Sequence, residues 1–291
     1  MSYPHAKVYN DGSHYIAIPQ IKQVWKKRKR VNIMSNKEFE QKQTFEKIYS
    51  ENKDKSKKEK VENINKELKE HFESEEQLQN FINANLERKK RNLIERRKRL
   101  YRKAYLQEWS YFCTFTFDSK KLNEEEFRKK LSNCFKKLSY RKSWKYIGVW
   151  ERSPINKRLH FHGIFYTPTM IGELIEQRDY STKNHRMQTT YQNTYFLERF
   201  GRNDFEEINP QSLSQSISYI TKYIEKSGER IVYSKNLPTY FISDILDDDI
   251  VCTIGIEDRK LLLFDNFKCW DEGVLIGEVS PKVISQMEKS N

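Results

Sequence analysis

The feature that most restricts this chain is a change of period at Tyr111. Upstream, the stretch Phe81–Tyr105 keeps Ile82, Leu86, Leu93, Leu100 and Ala104 on one helical stripe. At Tyr111 the spacing becomes two. Phe112, Thr114 and Thr116 then fall on one face of a strand, and Cys113, Phe115 and Phe117 on the other. Asn123-x-x-Glu126 next signals a capped helix reaching to about Leu138. A strand over Lys145–Glu151, a Ser153-Pro154 turn and a strand over Arg158–Tyr166 read as a hairpin. Strand, helix and hairpin in this order imply an α+β fold, with an antiparallel sheet carrying helices on one side.

The flanking regions read differently. Residues 35–105 are helical in pattern, with Ser35-x-x-Glu38 and Ser74-x-x-Gln77 as capping boxes. The stretch Glu51–Lys60 is charged enough to be an exposed helix or a loose connection. Residues 168–208 read as a polar, irregular insertion with a short helix near Ile171–Gln177. Asn209-Pro210 reads as a helix start, with the helix running to about Lys226 and Gly228 as its terminator. The tail offers short strands at Val251–Ile256 and Lys260–Phe264. The expected division is a basic, largely helical extension over 1–105, a catalytic domain over 106–230, and C-terminal strands over 231–291.

Charge narrows the partners. The chain has 291 residues and a formal net charge of +13, with 33% charged and 13% aromatic residues. That balance suits nucleic acid, an anionic membrane or plain solubility. No run of 18 apolar residues and no apolar signal core are present, so a soluble intracellular protein is expected, with no membrane partner. The cysteines Cys113, Cys134, Cys252 and Cys269 form no CxxC pair, and read as free thiols. Within Glu87–Lys103 ten residues are basic and two acidic. Arg88, Lys89, Lys90, Arg91, Arg96, Arg97, Lys98 and Arg99 are therefore candidate DNA-phosphate contacts, as is the run Lys26–Arg30. A solvated helix face would look the same.

Two groups carry the chemistry. His160 and His162 flank Phe161, and on a strand residues i and i+2 project from one face about 7 Å apart. Glu151 ends the strand paired to theirs. Two imidazoles and a carboxylate suit Mn²⁺ or Mg²⁺, with Zn²⁺ also open; two half-exposed histidines on a polar face are the plainer reading. The second group is Tyr219, Lys222 and Tyr223. Leu213, Ile217, Ile220 and Ile224 form the buried stripe of their helix, and the tyrosines lie together on its flank. Border tyrosines commonly only cover a core edge, but a neighbouring lysine can stabilise phenolate and phosphate charge.

In this order, the segment Phe112–Asp118, then Glu151 with His160-Phe-His162, then Tyr219-x-x-Lys222-Tyr223 resembles the three motifs of rolling-circle replication initiators of the HUH endonuclease superfamily. The paired tyrosines are similar to those of initiators from small single-stranded DNA phages, both microvirus-like and filamentous-phage-like. The resemblance implies the HUH fold, with a ferredoxin- or RRM-like central antiparallel sheet and flanking helices. It also implies metal-dependent nicking and rejoining of single-stranded DNA at an origin, through a 5′-phosphotyrosine intermediate. Carried over, Glu151, His160 and His162 are metal ligands, Tyr219 is the first nucleophile and Tyr223 its partner. The implied setting is the cytoplasm of a bacterial host, for a phage or plasmid, with host helicase and polymerase as partners; no Walker-A pattern follows the motifs. The competing expectations are a transposase- or relaxase-like nickase and a non-enzymatic basic nucleic-acid-binding module. Oligomeric state is left open.

Overall fold

The computed structural model describes all residues except 1, 11, 21–33, 53–54, 154–156, 182–184, 210–211, 227–228, 255–259, 265, 272–273, 281–282 and 284–285. The chain divides into two compact units, one of Ile21–Arg96 and one joining Met1–Gln20 to Arg97–Asn291. The basic run Lys26–Arg30 lies outside the described residues, as do Pro210 and Gly228.

Helices build the smaller unit. In chain order the elements begin with strands β1 (Ser2–Asn10) and β2 (Tyr15–Ile18), described below. Helices α1 (Asn36–Glu51), α2 (Lys57–Leu68) and α3 (Glu75–Tyr105) follow. Ser35 and Glu38 form the expected capping box, and Ser74 accepts the amide of Gln77 at the start of α3. The charged stretch Glu51–Lys60 is neither one helix nor all coil: α1 ends at Glu51 and a second box, Ser56 with Glu59, opens α2. Phe45, Ile48, Ile64, Leu68, Leu78 and Ile82 make this unit's core. The residues of α3 are divided between the two units.

The larger unit contains a five-stranded antiparallel sheet. Its elements are β3 (Tyr111–Thr116), α4 (Glu124–Arg141), β4 (Lys145–Arg152), β5 (Leu159–Tyr166), β6 (Leu174–Ser181), β7 (Arg186–Asn193), α5 (Thr194–Phe200), β8 (Asn203–Glu207), α6 (Leu213–Lys226) and β9 (Val232–Tyr233). The strand order is β8-β3-β5-β4-β9, so β5 is central. Alternation decides what each face does. Cys113, Phe115, Trp150, Phe161 and Phe165 point into an aromatic core with Phe127, Leu131 and Phe135 of α4. Gly148 and Gly163 pair across β4 and β5; a Cβ on Gly148 would strike the Phe161 ring. On the opposite face Ile147, Val149 and Ile164 are fully buried, and α6 packs against β4 and β5.

The expected irregular insertion is ordered. Instead of a helix near Ile171–Gln177, β6 and β7 form a two-stranded antiparallel ribbon. Most of its residues are polar or exposed on both faces, so no apolar alternation announces it. After it, α5 is capped by Asn193, and β8 adds an edge strand to the sheet beside β3. The start of α6 also differs: Asn209 accepts from the amide of Ser212 in a turn, and the helix begins at Leu213.

The termini correct the expected extension over 1–105. Residues 2–18 are strands, not helix, and they pair with the chain's far end. A six-stranded sheet runs β11-β12-β2-β1-β10-β15, where β10 is Tyr240–Leu246, β11 Ile250–Ile254, β12 Lys260–Leu263 and β15 Lys289–Ser290. Between them β13 (Lys268–Asp271) and β14 (Val274–Glu278) pair with each other. Ala6, Val8, Ala17, Phe241, Leu261 and Phe267 belong to its core. The two strands expected in the tail are β11 and β12. Among the described residues no helix is long and apolar enough to cross a membrane. Cys113, Cys134 and Cys269 are buried free thiols, and Cys252 is exposed.

Candidate active site

Beyond the apolar floor under α6, the same sheet face turns polar. Glu151 pairs with His160 across β4 and β5, and His160 with Thr116 across β5 and β3. One row along, Thr114 stands opposite His162. The imidazole planes of His160 and His162 lie 17° apart, with centroids separated by 5.8 Å. Glu151 Oε2 is 2.7 Å from His162 Nε2, so the carboxylate expected beside the histidines is in contact with one of them.

Helix α6 brings the tyrosines to the same place. Ile217 and Ile220 are fully buried, which turns the flank carrying Tyr219 and Tyr223 toward the histidine end of the sheet. The Tyr223 ring is stacked on His162 at 5.9 Å and 9°, while Tyr219 meets it edge-on at 5.3 Å. Phe112, on the same face of β3, meets Tyr219 at 5.4 Å. The hydroxyl of Tyr223 donates to that of Tyr219 at 3.0 Å. Lys222 is exposed on the same helix.

The electrostatics divide the two tyrosines. Burial raises both phenols. Tyr219 receives a hydrogen bond from Tyr223, which favours its ionised form; Tyr223 gives that hydrogen bond and also faces Glu151, so burial and both neighbours hold it protonated. Burial likewise lowers His160 to about 4, with the charge of His162 adding to the effect and Glu151 opposing it. Its ring is neutral at pH 7 and keeps a lone pair.

Two imidazoles and a carboxylate make a donor set suited to a hard or borderline divalent cation. Each histidine's Nδ1 contacts a threonine hydroxyl, which leaves Nε2 as the outward nitrogen. The side chains are nonetheless not arranged around a common point. His162 Nε2 is engaged by Glu151, and among the described residues no three His, Cys, Asp or Glu side chains form a group in ligating position. Uptake of a cation would require the Glu151–His162 contact to open.

The basic candidates on α3 do not behave alike. Arg88 pairs with Glu46 at 2.8 Å, and Lys89 contacts the same carboxylate and lies over the Tyr49 ring. These two cations help bind α3 to α1. Lys90, Arg91, Arg96, Lys98 and Arg99 are exposed, and Arg97 is half-buried. Sequence reasoning missed Thr114 and Thr116 as site residues. Their signal was present: in the period-two pattern they share a face with Phe112, and only the register of β3 against β5 sets that face beside the histidines.

Residues 110–228, about two-fifths of the chain, match a family model that describes the replication-associated protein ORF2 and its relatives. The matched segment holds every catalytic and metal-ligand candidate named above. No curated protein and no solved structure matches the chain. Similarity to replication-associated proteins supports a part in replication initiation, which implies contact with DNA at an origin.

Proposed function

We propose that this protein is an HUH-type rolling-circle replication initiator that nicks and rejoins single-stranded DNA at an origin. The observation that carries the reading is the convergence of Tyr219 and Tyr223 on His162, which is itself in contact with Glu151. Glu151, His160 and His162 would hold Mn²⁺ or Mg²⁺, which when bound polarises a non-bridging oxygen of the scissile phosphate. Tyr219 Oη attacks phosphorus, forming the Tyr219 O–P bond as the bond to the 3′ oxygen breaks. The products are a 5′-phosphotyrosine link and a 3′-hydroxyl that has taken up a proton. The hydrogen bond from Tyr223 supports the charge that develops on the Tyr219 oxygen. Lys222, exposed one residue before Tyr223, is the cation available to the phosphate.

Because the link conserves the phosphodiester bond energy, the reverse attack by a 3′-hydroxyl rejoins the ends without ATP. Tyr223, one helical turn from Tyr219, serves as the second nucleophile when a displaced circle is closed. The exposed cations of α3 contribute phosphate contacts that do not depend on sequence. Host helicase and polymerase would supply unwinding and synthesis, in the cytoplasm of a bacterial cell carrying the phage or plasmid.

The test is incubation of the full chain with single-stranded origin DNA and Mn²⁺, followed by a denaturing gel for a protein–DNA adduct and mass spectrometry of the linked peptide. An adduct on Tyr219 is the expected result. An adduct on Tyr223 reverses the order of the tyrosines. DNA binding with no adduct in any metal returns the protein to a non-enzymatic binding module.

A further inference from the structure

Thr114 and Thr116 stand opposite His162 and His160 in the register of β3 and β5. The Thr114 hydroxyl is 3.0 Å from His162 Nδ1, and that of Thr116 is 3.1 Å from His160 Nδ1. One such contact could be an accident of alternation. Two at successive rows, each to the same ring nitrogen, form a repeated arrangement. The geometry points to Thr114 and Thr116 as positioning residues that hold both imidazoles by Nδ1 and leave Nε2 as the working atom. This role rests on the function proposed above.

The hydroxyl is suited to His162 for a specific reason. His162 Nε2 lies 2.7 Å from a Glu151 oxygen. In the neutral ring only one nitrogen carries a proton. When Nε2–H donates to Glu151, Nδ1 is bare and accepts the Thr114 O–H. When Nε2 must present its lone pair to a cation, Nδ1 carries the proton and donates to the Thr114 oxygen. A carbonyl or carboxylate here could only accept, and would fix one tautomer. A hydroxyl serves both, so the ring keeps its place while Nε2 changes partner. The branched Cβ of threonine limits its χ1 and keeps the hydroxyl aimed. His160 has no such carboxylate contact, and Thr116 there has only to orient the ring.

The experiment uses the full chain with Thr114→Val, Thr116→Val and the two serine variants. Valine keeps the branched shape and suits a strand, so the sheet is retained. Mn²⁺ affinity is followed by electron paramagnetic resonance, and the metal-free histidine rings by ¹⁵N nuclear magnetic resonance. Each valine variant is expected to weaken Mn²⁺ binding about 10- to 100-fold, the usual size for partners that orient a ligand, and serine to restore most of it. In the metal-free protein, Thr114→Val should shift the ring nitrogens of His162 while Thr114→Ser leaves them near wild type. If valine at 114 disturbs the sheet, Thr116→Val reads the same role through His160. Valine variants with wild-type affinity and unchanged ring shifts overturn the positioning role alone. A wild-type chain that takes up no Mn²⁺ overturns this role together with the metal-dependent function.

Discussion

The two large sheets make the useful comparison. The five-stranded sheet is drawn from one stretch of chain, β3 to β9. The six-stranded sheet joins the two ends, and the amide of His5 donates to Asp244, 239 residues later. Both bury one face in an apolar core. Their other faces differ. In the five-stranded sheet that face is apolar under α6 and then changes to Thr114, Thr116, Glu151, His160 and His162. In the six-stranded sheet the corresponding positions hold Lys7, Tyr9 and Tyr240, with Arg102 over the Tyr9 ring and Lys7 over that of Tyr240. A half-buried sheet face becomes a candidate site when ligating groups occupy adjacent strands and a helix brings a nucleophile over them. Aromatic and cationic residues alone give a stabilised surface.

The sharpest way to break this contrast is to remove one tyrosine from each sheet region. Tyr219→Phe is expected to cut adduct formation by at least about 1,000-fold, the scale for loss of a nucleophile. Tyr240→Phe should leave it unchanged. An adduct gel decides, and equal losses would show that the two regions are not functionally distinct. Tyr223→Phe should still nick but fail in the transfer that closes a circle.

Next in size are the cores. Phe161→Ala and Phe241→Ala each remove a fully buried ring and should each cost about 3–5 kcal/mol in urea unfolding. Only Phe161 backs the histidine strand. Its variant should lose adduct formation per folded molecule, whereas Phe241→Ala should keep it. Parallel losses would mean that the six-stranded sheet supports the site directly.

The exposed cations of α3 give a third measurement. Neutralising Lys90, Arg91, Arg96 and Lys98 should lower the slope of log affinity against log salt on single-stranded DNA by up to about 3. An unchanged slope would return them to an ordinary solvated face. Arg88 and Lys89 are poor choices for this test, because their loss strands Glu46.

The smallest effect is a pH dependence. His160 is held at about 4 by burial, against an ordinary value of 6.5. The unfolded chain therefore binds the extra proton first, and stability is lost as pH falls from about 6.5 to about 4. After screening at a half-exposed position the size should be about 1–2 kcal/mol. His160→Asn should flatten that part of the pH profile in thermal unfolding. An unaltered profile would assign it to other groups.

The sequence alone was enough for the α+β class, for strands β3 to β5 within a residue or so, and for the grouping of Glu151, His160, His162, Tyr219 and Tyr223. All of these rest on local periodicity: alternation places His160 with His162, and the helical repeat places Tyr219 with Tyr223. The β6–β7 ribbon was illegible because residues polar on both faces leave no period to read. The role of residues 2–18 was illegible because a strand's partner is a matter of register across the whole chain. Tertiary structure also decided the contacts that no spacing encodes. Pairing of β3 with β5 sets the two threonine hydroxyls on the histidines, and burial of Ile217 and Ile220 turns the tyrosines toward His162. Local sequence determines which way a side chain points. Which groups it meets depends on how separate elements share one buried surface.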